Sequence, residues 1–425
     1  MSTTAVEKLA IHGGQPAKQR PDPPMYPGGM MIDHEEEAAV LEVLRSKRLF
    51  RYYGPDDAPS KVAELEEAFA AHKGVRFALA VTSGTAALIC GLAGLGVGPG
   101  DEVIVPAYTW IASAAAVLAV GGVPIVAEVD ETLTLDPEDV ARKISPYTKA
   151  IMPVHMRGMP CRMDELLAVA AKHGLKVIED TAQANGGSYR GRPLGSLGDV
   201  GCYSLQFNKI ITAGEGGMVV TNDEAVWKRA IMYHDVIGAL RQGFPVEEHL
   251  CGINFRMPEL LGAVGLVQLR KLNRLIDAMQ ARKRMLRTGI GEVAAAKGVQ
   301  FPEAVDPDGD ASVALIWLMD SPDKAGEVCQ ALRAENIGAS RMYQPDAMDY
   351  HVYAHWVPIM EKRSWSNGGD PWRWAQREVQ YHKEMCPRTL DLLGRAVHLN
   401  VSPLLTNEDV EETIEGVNRV LSALA

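Results

Sequence analysis

Met163-Asp-Glu-Leu-Leu-Ala-Val-Ala-Ala-Lys-His-Gly-Leu-Lys-Val-Ile-Glu-Asp180 decides how this chain is read. The stretch holds a helical pattern from Met163 to His173, then a short strand, Lys176-Val-Ile-Glu-Asp180, that ends in a carboxylate. The same alternation runs outward. Residues 62–72 and 83–95 read as helices, and Glu102-Val-Ile-Val-Pro106, Val123-Pro-Ile-Val-Ala127 and 150–154 as continuously apolar strands. Strands joined through helices need crossover connections, so a mostly parallel sheet covered on both faces is predicted. In such sheets ligands bind beyond the carboxyl ends of the strands.

After Val220 the pattern turns helical, with a long helix over 258–287. A strand over 313–318, a helix over 324–336 and a closing helix over 407–424, capped by Asn407, follow. Residues 364–374, rich in Trp, Gly, Ser and Asn, read as a loop. The predicted organisation is an N-terminal arm over 1–30, a large α/β domain over 31–285 and a small α+β domain over 286–425.

Composition sets limits. In 425 residues, 43 Lys and Arg stand against 54 Asp and Glu, a net charge of −11 that argues against nucleic acid or an anionic membrane as the main partner. A single phosphate remains acceptable, because backbone amides at a helix terminus can hold it. The six cysteines are scattered without ligand-like spacing, as expected of reduced thiols in a cytoplasmic protein. Residues 1–8 lack a signal-peptide layout, and 111–129, interrupted by Gly121-Gly122, Pro124 and Glu128, read as a buried helix and strand rather than a membrane span.

Three features fall at strand ends or helix starts. Thr82-Ser-Gly-Thr-Ala-Ala87 is a small-residue turn opening a helix, either an anion site or a plain N-cap. Asp180 suits a cofactor partner, a metal ligand or a turn cap. In Ser204-Leu-Gln-Phe-Asn-Lys-Ile-Ile-Thr-Ala-Gly-Glu-Gly-Gly217, Lys209 lies among apolar residues, as a desolvated nucleophile or as a lysine snorkelling at a strand edge. Together they suit pyridoxal phosphate, whose phosphate needs amides and hydroxyls, whose ring nitrogen needs an acid and whose aldehyde needs a lysine. The glycines from Gly94 to Gly100 follow a helix and precede a strand, the wrong order for a dinucleotide fingerprint. His351 and His355 have helical spacing but no acidic third ligand, so no metal is expected.

These stretches, with Gly100-Asp-Glu-Val-Ile-Val-Pro-Ala-Tyr-Thr-Trp110, Pro153-Val-His155, Val177-Ile-Glu-Asp-Thr-Ala-Gln183, Gly195-Ser-Leu-Gly-Asp199 and Gly252-Ile-Asn-Phe-Arg-Met257, resemble the DegT/StrS-type sugar aminotransferases, fold-type I pyridoxal-phosphate enzymes. The resemblance implies a homodimer. It gives Ser83, Gly84, Thr85 and Ser204 to the cofactor phosphate, Trp110 and Gln183 to the ring, Asp180 to the ring nitrogen and Lys209 to the Schiff base and proton transfer. Asn254 would reach the neighbouring subunit's phosphate. Gln206 stands where many relatives acting on nucleotide-linked sugars have His, which is similar to the branch that aminates keto-cyclitols such as scyllo-inosose with glutamine. Lys209 itself argues against the dehydratase branch.

The implied reaction moves an amino group from glutamine or glutamate to a keto-cyclitol or keto-sugar, with His155, Gln206 and Tyr343 as candidate substrate residues. One alternative is a nucleotide-linked keto-sugar, for which Arg256 and Arg341 are candidate diphosphate contacts. Another is a PLP-binding regulatory protein without turnover.

Overall fold

The computed structural model describes residues 8–55, 59–366 and 370–425. The main strands are β1 (Phe77–Val81), β2 (Glu102–Pro106), β3 (Val123–Ala127), β4 (Thr148–Ile151) and β5 (Lys176–Asp180). A small hairpin, β6 (Ser188–Tyr189) and β7 (Arg192–Pro193), precedes β8 (Val200–Ser204) and β9 (Gly217–Thr221). Seven strands form one sheet in the order β1-β9-β8-β5-β4-β2-β3. From β3 to β8 neighbouring strands are parallel, whereas β9 runs antiparallel to β8 and to β1. The chain between β8 and β9 makes no helical crossover, so β9 returns antiparallel.

Strands β2, β3 and β5 lie where the sequence pattern puts them. β4 begins two residues early and ends at Ile151, because Pro153 has no N–H to give the ladder. The helix Gly84–Gly94 is apolar on nearly every side and is sandwiched between the sheet and the helix Glu224–His234. The stretch 111–129 divides into the helix Ala112–Ala119 and β3, and among the described residues no helix is long and apolar enough to cross a membrane.

One helix, Glu259–Ala296, carries the chain from this sheet to a second. It runs past the predicted end at 287 because Ile290 and Ala294 keep its apolar face going beyond the basic run at 282–284. The second sheet has the order β10-β12-β11, from β10 (Ala314–Leu318), β11 (Ala339–Arg341) and β12 (Ala396–Asn400), all antiparallel. The helix Pro322–Ala334 begins two residues before the predicted 324, at a Ser321 cap. Residues 1–7 and 367–369 lie outside the described residues; within the predicted loop 364–374 the segment Pro371–Trp374 is a short helix.

The closing helix Asn407–Leu424 is capped by Thr406 rather than by Asn407. The Thr406 hydroxyl accepts from Asp409 N at 3.1 Å, and the Asp409 carboxylate accepts from Thr406 N at 2.9 Å. This reciprocal pair satisfies two otherwise orphaned donors. Thr406→Ala should therefore cost about 1 kcal/mol in urea unfolding, and Asn407→Ala less than about 0.5 kcal/mol.

At the end of the helix Lys61–Lys73, Lys73 is buried between the rings of Phe69 and Tyr203, and its Nζ donates to Asn185 Oδ1 at 2.8 Å. Burial lowers its pKa from 10.5 to about 7. The unfolded chain therefore binds more protons between those two values. Stability should rise as pH climbs from about 7 towards 10.5, with the full penalty for a buried charge below 7. Lys73→Met should flatten that rise in melting temperature against pH.

Candidate active site

Most of the predicted residues come together beyond the carboxyl ends of β2, β5 and β8, around a cavity of about 370 Å³. One wall is the turn from β1 into the helix Gly84–Gly94. Ser83 caps this helix by accepting from Ala86 N at 3.0 Å, and the amides of Gly84 and Thr85 have no acceptor within it. A Cβ on Gly84 would come within 2.7 Å of Ser204 Cβ, so only glycine lets the helix start meet the end of β8. The result is a cradle of amides and hydroxyls sized for a small anion.

Asp180 ends β5, buried at 5% exposure. Its Oδ2 accepts from Ser113 Oγ at 2.8 Å and its Oδ1 from Ala182 N at 3.1 Å; the Thr109 hydroxyl backs Ser113 at 2.7 Å. Desolvation raises its pKa, against the opposing pull of Ser113, Ala182, Lys209 and His155. No cation lies within 4 Å of this carboxylate among the described residues, which fits a partner such as a protonated ring nitrogen. Lys209, partly exposed to the cavity, has its pKa lowered by desolvation; Asp180 opposes the shift and Arg157 adds to it.

Trp110, 44% exposed, lies beside His351 at 4.9 Å between ring centroids. Gln206 lines the same cavity, and so does Gln183, whose Oε1 accepts from Arg157 N at 3.2 Å. The residues present thus fit pyridoxal phosphate, with a hydroxyl-and-amide cradle, a flat aromatic wall, a buried acid and a desolvated amine around one cavity.

Three predicted residues lie off this cavity. His155 is fully buried: its Nδ1 accepts from Cys161 N at 3.2 Å, which leaves Nε2 to donate to Glu179 Oε2 at 3.0 Å. Both ring nitrogens are thus engaged inside the protein, and the ring has no edge left for a substrate. Tyr343 packs on His355 at 5.4 Å, outside the cavity lining. Asn254 is exposed, with its Oδ1 accepting from Arg256 N at 3.2 Å. Of the two arginines suggested for a diphosphate, Arg256 is paired with Asp235 at 2.7 Å and Arg341 donates to Pro322 O at 2.9 Å; neither lines the cavity.

Arg157 and His351 escaped the sequence pattern. His351 is outside any helix, and Asp349 Oδ1 holds its Nδ1 at 2.7 Å. Arg157 follows Pro153-Val-His155 closely, and its φ of 53° just before Gly158 is the one local oddity that marks it.

A mostly parallel sheet with a lysine beyond β8, an aspartate at the end of β5 and an anion cradle after β1 defines a fold-type I pyridoxal-phosphate enzyme. Residues 30–364 match the DegT/DnrJ/EryC1/StrS aminotransferase family, and the chain belongs to it as a PLP-dependent aminotransferase. It is 34% identical to the L-glutamine:2-deoxy-scyllo-inosose aminotransferase of Streptoalloteichus tenebrarius over 97% of both chains. It is 44% identical to the GDP-perosamine synthase of Caulobacter vibrioides over 53% of this chain and 60% of that one. The crystal structure of 3-amino-5-hydroxybenzoic acid synthase superposes with a TM-score of 0.79 at 28% identity, covering 95% of this chain and all of the other.

Glu179, the neighbour of Asp180, accepts from Gly195 N at 2.8 Å, from Leu197 N and Gly198 N at 2.7 Å, and from His155. An amide in its place would turn an NH₂ group against these donors. Glu179→Gln should destabilise the fold by about 3 kcal/mol in urea unfolding.

Proposed function

We propose that the chain transfers an amino group from glutamine or glutamate to a keto-cyclitol or keto-sugar. The observation that carries this reading is the placement of Lys209 and Asp180 on one cavity with the cradle of Ser83, Gly84, Thr85 and Ser204. The end-to-end likeness to an L-glutamine:2-deoxy-scyllo-inosose aminotransferase supports the cyclitol acceptor. Likeness to a GDP-perosamine synthase favours, as a second reading, a nucleotide-linked sugar.

The cofactor, when bound, carries the amino group between the two reactants and accepts the electrons of the breaking C–H bond. The protein's own groups do the rest. The Gly84 and Thr85 amides, with the Ser83 and Ser204 hydroxyls, bind the phosphate. Trp110 and Gln183 would hold the ring plane, and Asp180 would keep a proton on the ring nitrogen. Lys209, its amine made easier to deprotonate by desolvation, would hold the cofactor's aldehyde end and would serve as the base and acid at the reacting carbon. Gln206 contacts substrate; His155 instead positions Glu179, and Tyr343 is left without a role. Asn254, exposed and away from its own cavity, suits a contact across a homodimer. The division into an arm over 1–30, a large domain over 31–285 and a small domain over 286–425, and a cytoplasmic setting, belong to the same proposal.

Glutamine added to the purified holoenzyme should remove the absorbance band of the lysine-bound cofactor at about 420 nm and raise one at about 330 nm. A keto-cyclitol should then reverse the change. Lys209→Ala should lack the 420 nm band (about that wavelength) from the outset. An unaltered spectrum with every amino donor would refute the transferase reading.

A further inference from the structure

A second chamber of about 410 Å³ adjoins the cofactor cavity and shares Gln183, Asn208, Lys209 and His351 with it. Its charge pattern runs against that of the chain. With a net charge of −11 overall, the chamber is lined by Arg157 and Lys209 and by no aspartate or glutamate. Its remaining polar groups include the amides of Gln183, Asn208 and Asn400 and the Tyr26 side chain.

Arg157 is held for a purpose its own neighbours do not use. Its φ of 53° is a conformation that a residue with a side chain adopts only under constraint. Two restraints supply it: Arg157 N donates to Gln183 Oε1 at 3.2 Å, and Arg157 Nε donates to the phenol of buried Tyr108 at 3.1 Å. Neither terminal amino group of the guanidinium has a hydrogen-bond partner among the described residues, and no carboxylate there lies within 4 Å of it. The nearby Asp349 is committed to His351, through the ring at 2.7 Å and the backbone N–H at 2.9 Å.

We propose that Arg157 is the anchor for a substrate carboxylate, taken through its two terminal amino groups and thereby set against Lys209. A planar guanidinium matches a carboxylate with two parallel hydrogen bonds, whereas a lysine offers only a point charge. The three amides would receive the ligand's other polar atoms. A phosphate has its own place at the start of the helix Gly84–Gly94, in the other chamber. The carboxylate has two possible sources, the α-carboxylate of the amino donor or an acid group on the acceptor. The inference rests on the aminotransferase reading, since both reactants then pass through this chamber in turn.

The test uses purified holoenzyme with Arg157→Gln and Arg157→Lys. Succinate, which cannot react, should bind the wild type in calorimetry and bind Arg157→Gln about 100-fold more weakly. That readout needs no turnover. Failure of every amino donor to change the spectrum would sink the transferase reading while leaving the succinate result to decide the anchor. In the donor arm, the wild-type spectral change should saturate at far lower L-glutamine than L-glutaminol, its analogue with the carboxylate reduced to an alcohol. Arg157→Gln should lose that preference.

If the glutamine curve stays put while the variants need more of a keto acceptor bearing a carboxylate, the anchored group is the acceptor's. A wild type that ignores succinate and treats glutamine and glutaminol alike overturns the proposal, as do variants indistinguishable from wild type in every arm. Should Arg157→Gln fail to fold, Arg157→Lys, which keeps the stem and the charge but loses the fork, makes the same comparison.

Discussion

Two carboxylates stand side by side at the end of β5 and face opposite sides of the sheet, as neighbouring strand residues must. Glu179 is fully buried, and three backbone amides from residues 195–198 and one imidazole N–H satisfy it. A buried carboxylate is tolerable only with donors of this number and geometry. The segment it gathers leads directly into β8. A Cβ on Gly201 would fall 2.0 Å from Gly195 O, so strand and turn are pressed together with no slack. Together with the ladders of β8 to β5 and β9, that carboxylate fixes the turn that enters the strand from which Ser204 and Lys209 emerge. Asp180 sits on the other face of the same strand, and its distance from Lys209 is set by the same construction.

Burial drives Asp180 and Lys209 towards neutrality from opposite directions, and the field of each resists the shift of the other. That balance suits a site that must change its proton count during a reaction. Desolvation alone does not single out the reactive amine, however. Lys73 is more completely buried and more strongly perturbed than Lys209, yet it is closed in by Phe69, Tyr203 and Asn185 and lines neither chamber of the site. Access, not the size of the shift, separates a usable nucleophile from a lysine that merely fills space.

The legible parts of the fold were those whose sequence has only one good reading. β2 and β3 are short apolar runs rich in Val and Ile, and β5 sets Val177 and Ile178 between charged residues directly after a helix with a clear apolar stripe. β8 carries a glycine, and β1, Phe-Ala-Leu-Ala-Val, suits a helix as well as a strand, so neither stands out without its partner. That Ser83 to Thr85, Asp180, Gln183, Ser204 and Lys209 gather on one cavity was legible for a related reason: they lie on short local stretches that each end a strand or start a helix. His155 was misjudged by the period of an extended chain. Val154 faces the cavity and its neighbour faces the interior. The second chamber had no local signal at all, because Tyr26, Arg157, His351 and Asn400 meet only through tertiary packing.

The charge of the whole chain and the charge of the site are separate quantities. Most of the acidic excess sits in helices such as His34–Ser46 and Asn407–Leu424, whose carboxylates face solvent or cap their own helix ends. Solvent screens such charges within about 10 Å, so they contribute little to the field inside the cavity. Within the two chambers the few groups present dominate: the buried Asp180, the exposed Glu215, the Lys209 amine, the Arg157 guanidinium and the backbone dipoles at the start of the helix Gly84–Gly94. A protein whose surface repels polyanions can therefore still carry, in its interior, amides and cations suited to small anions.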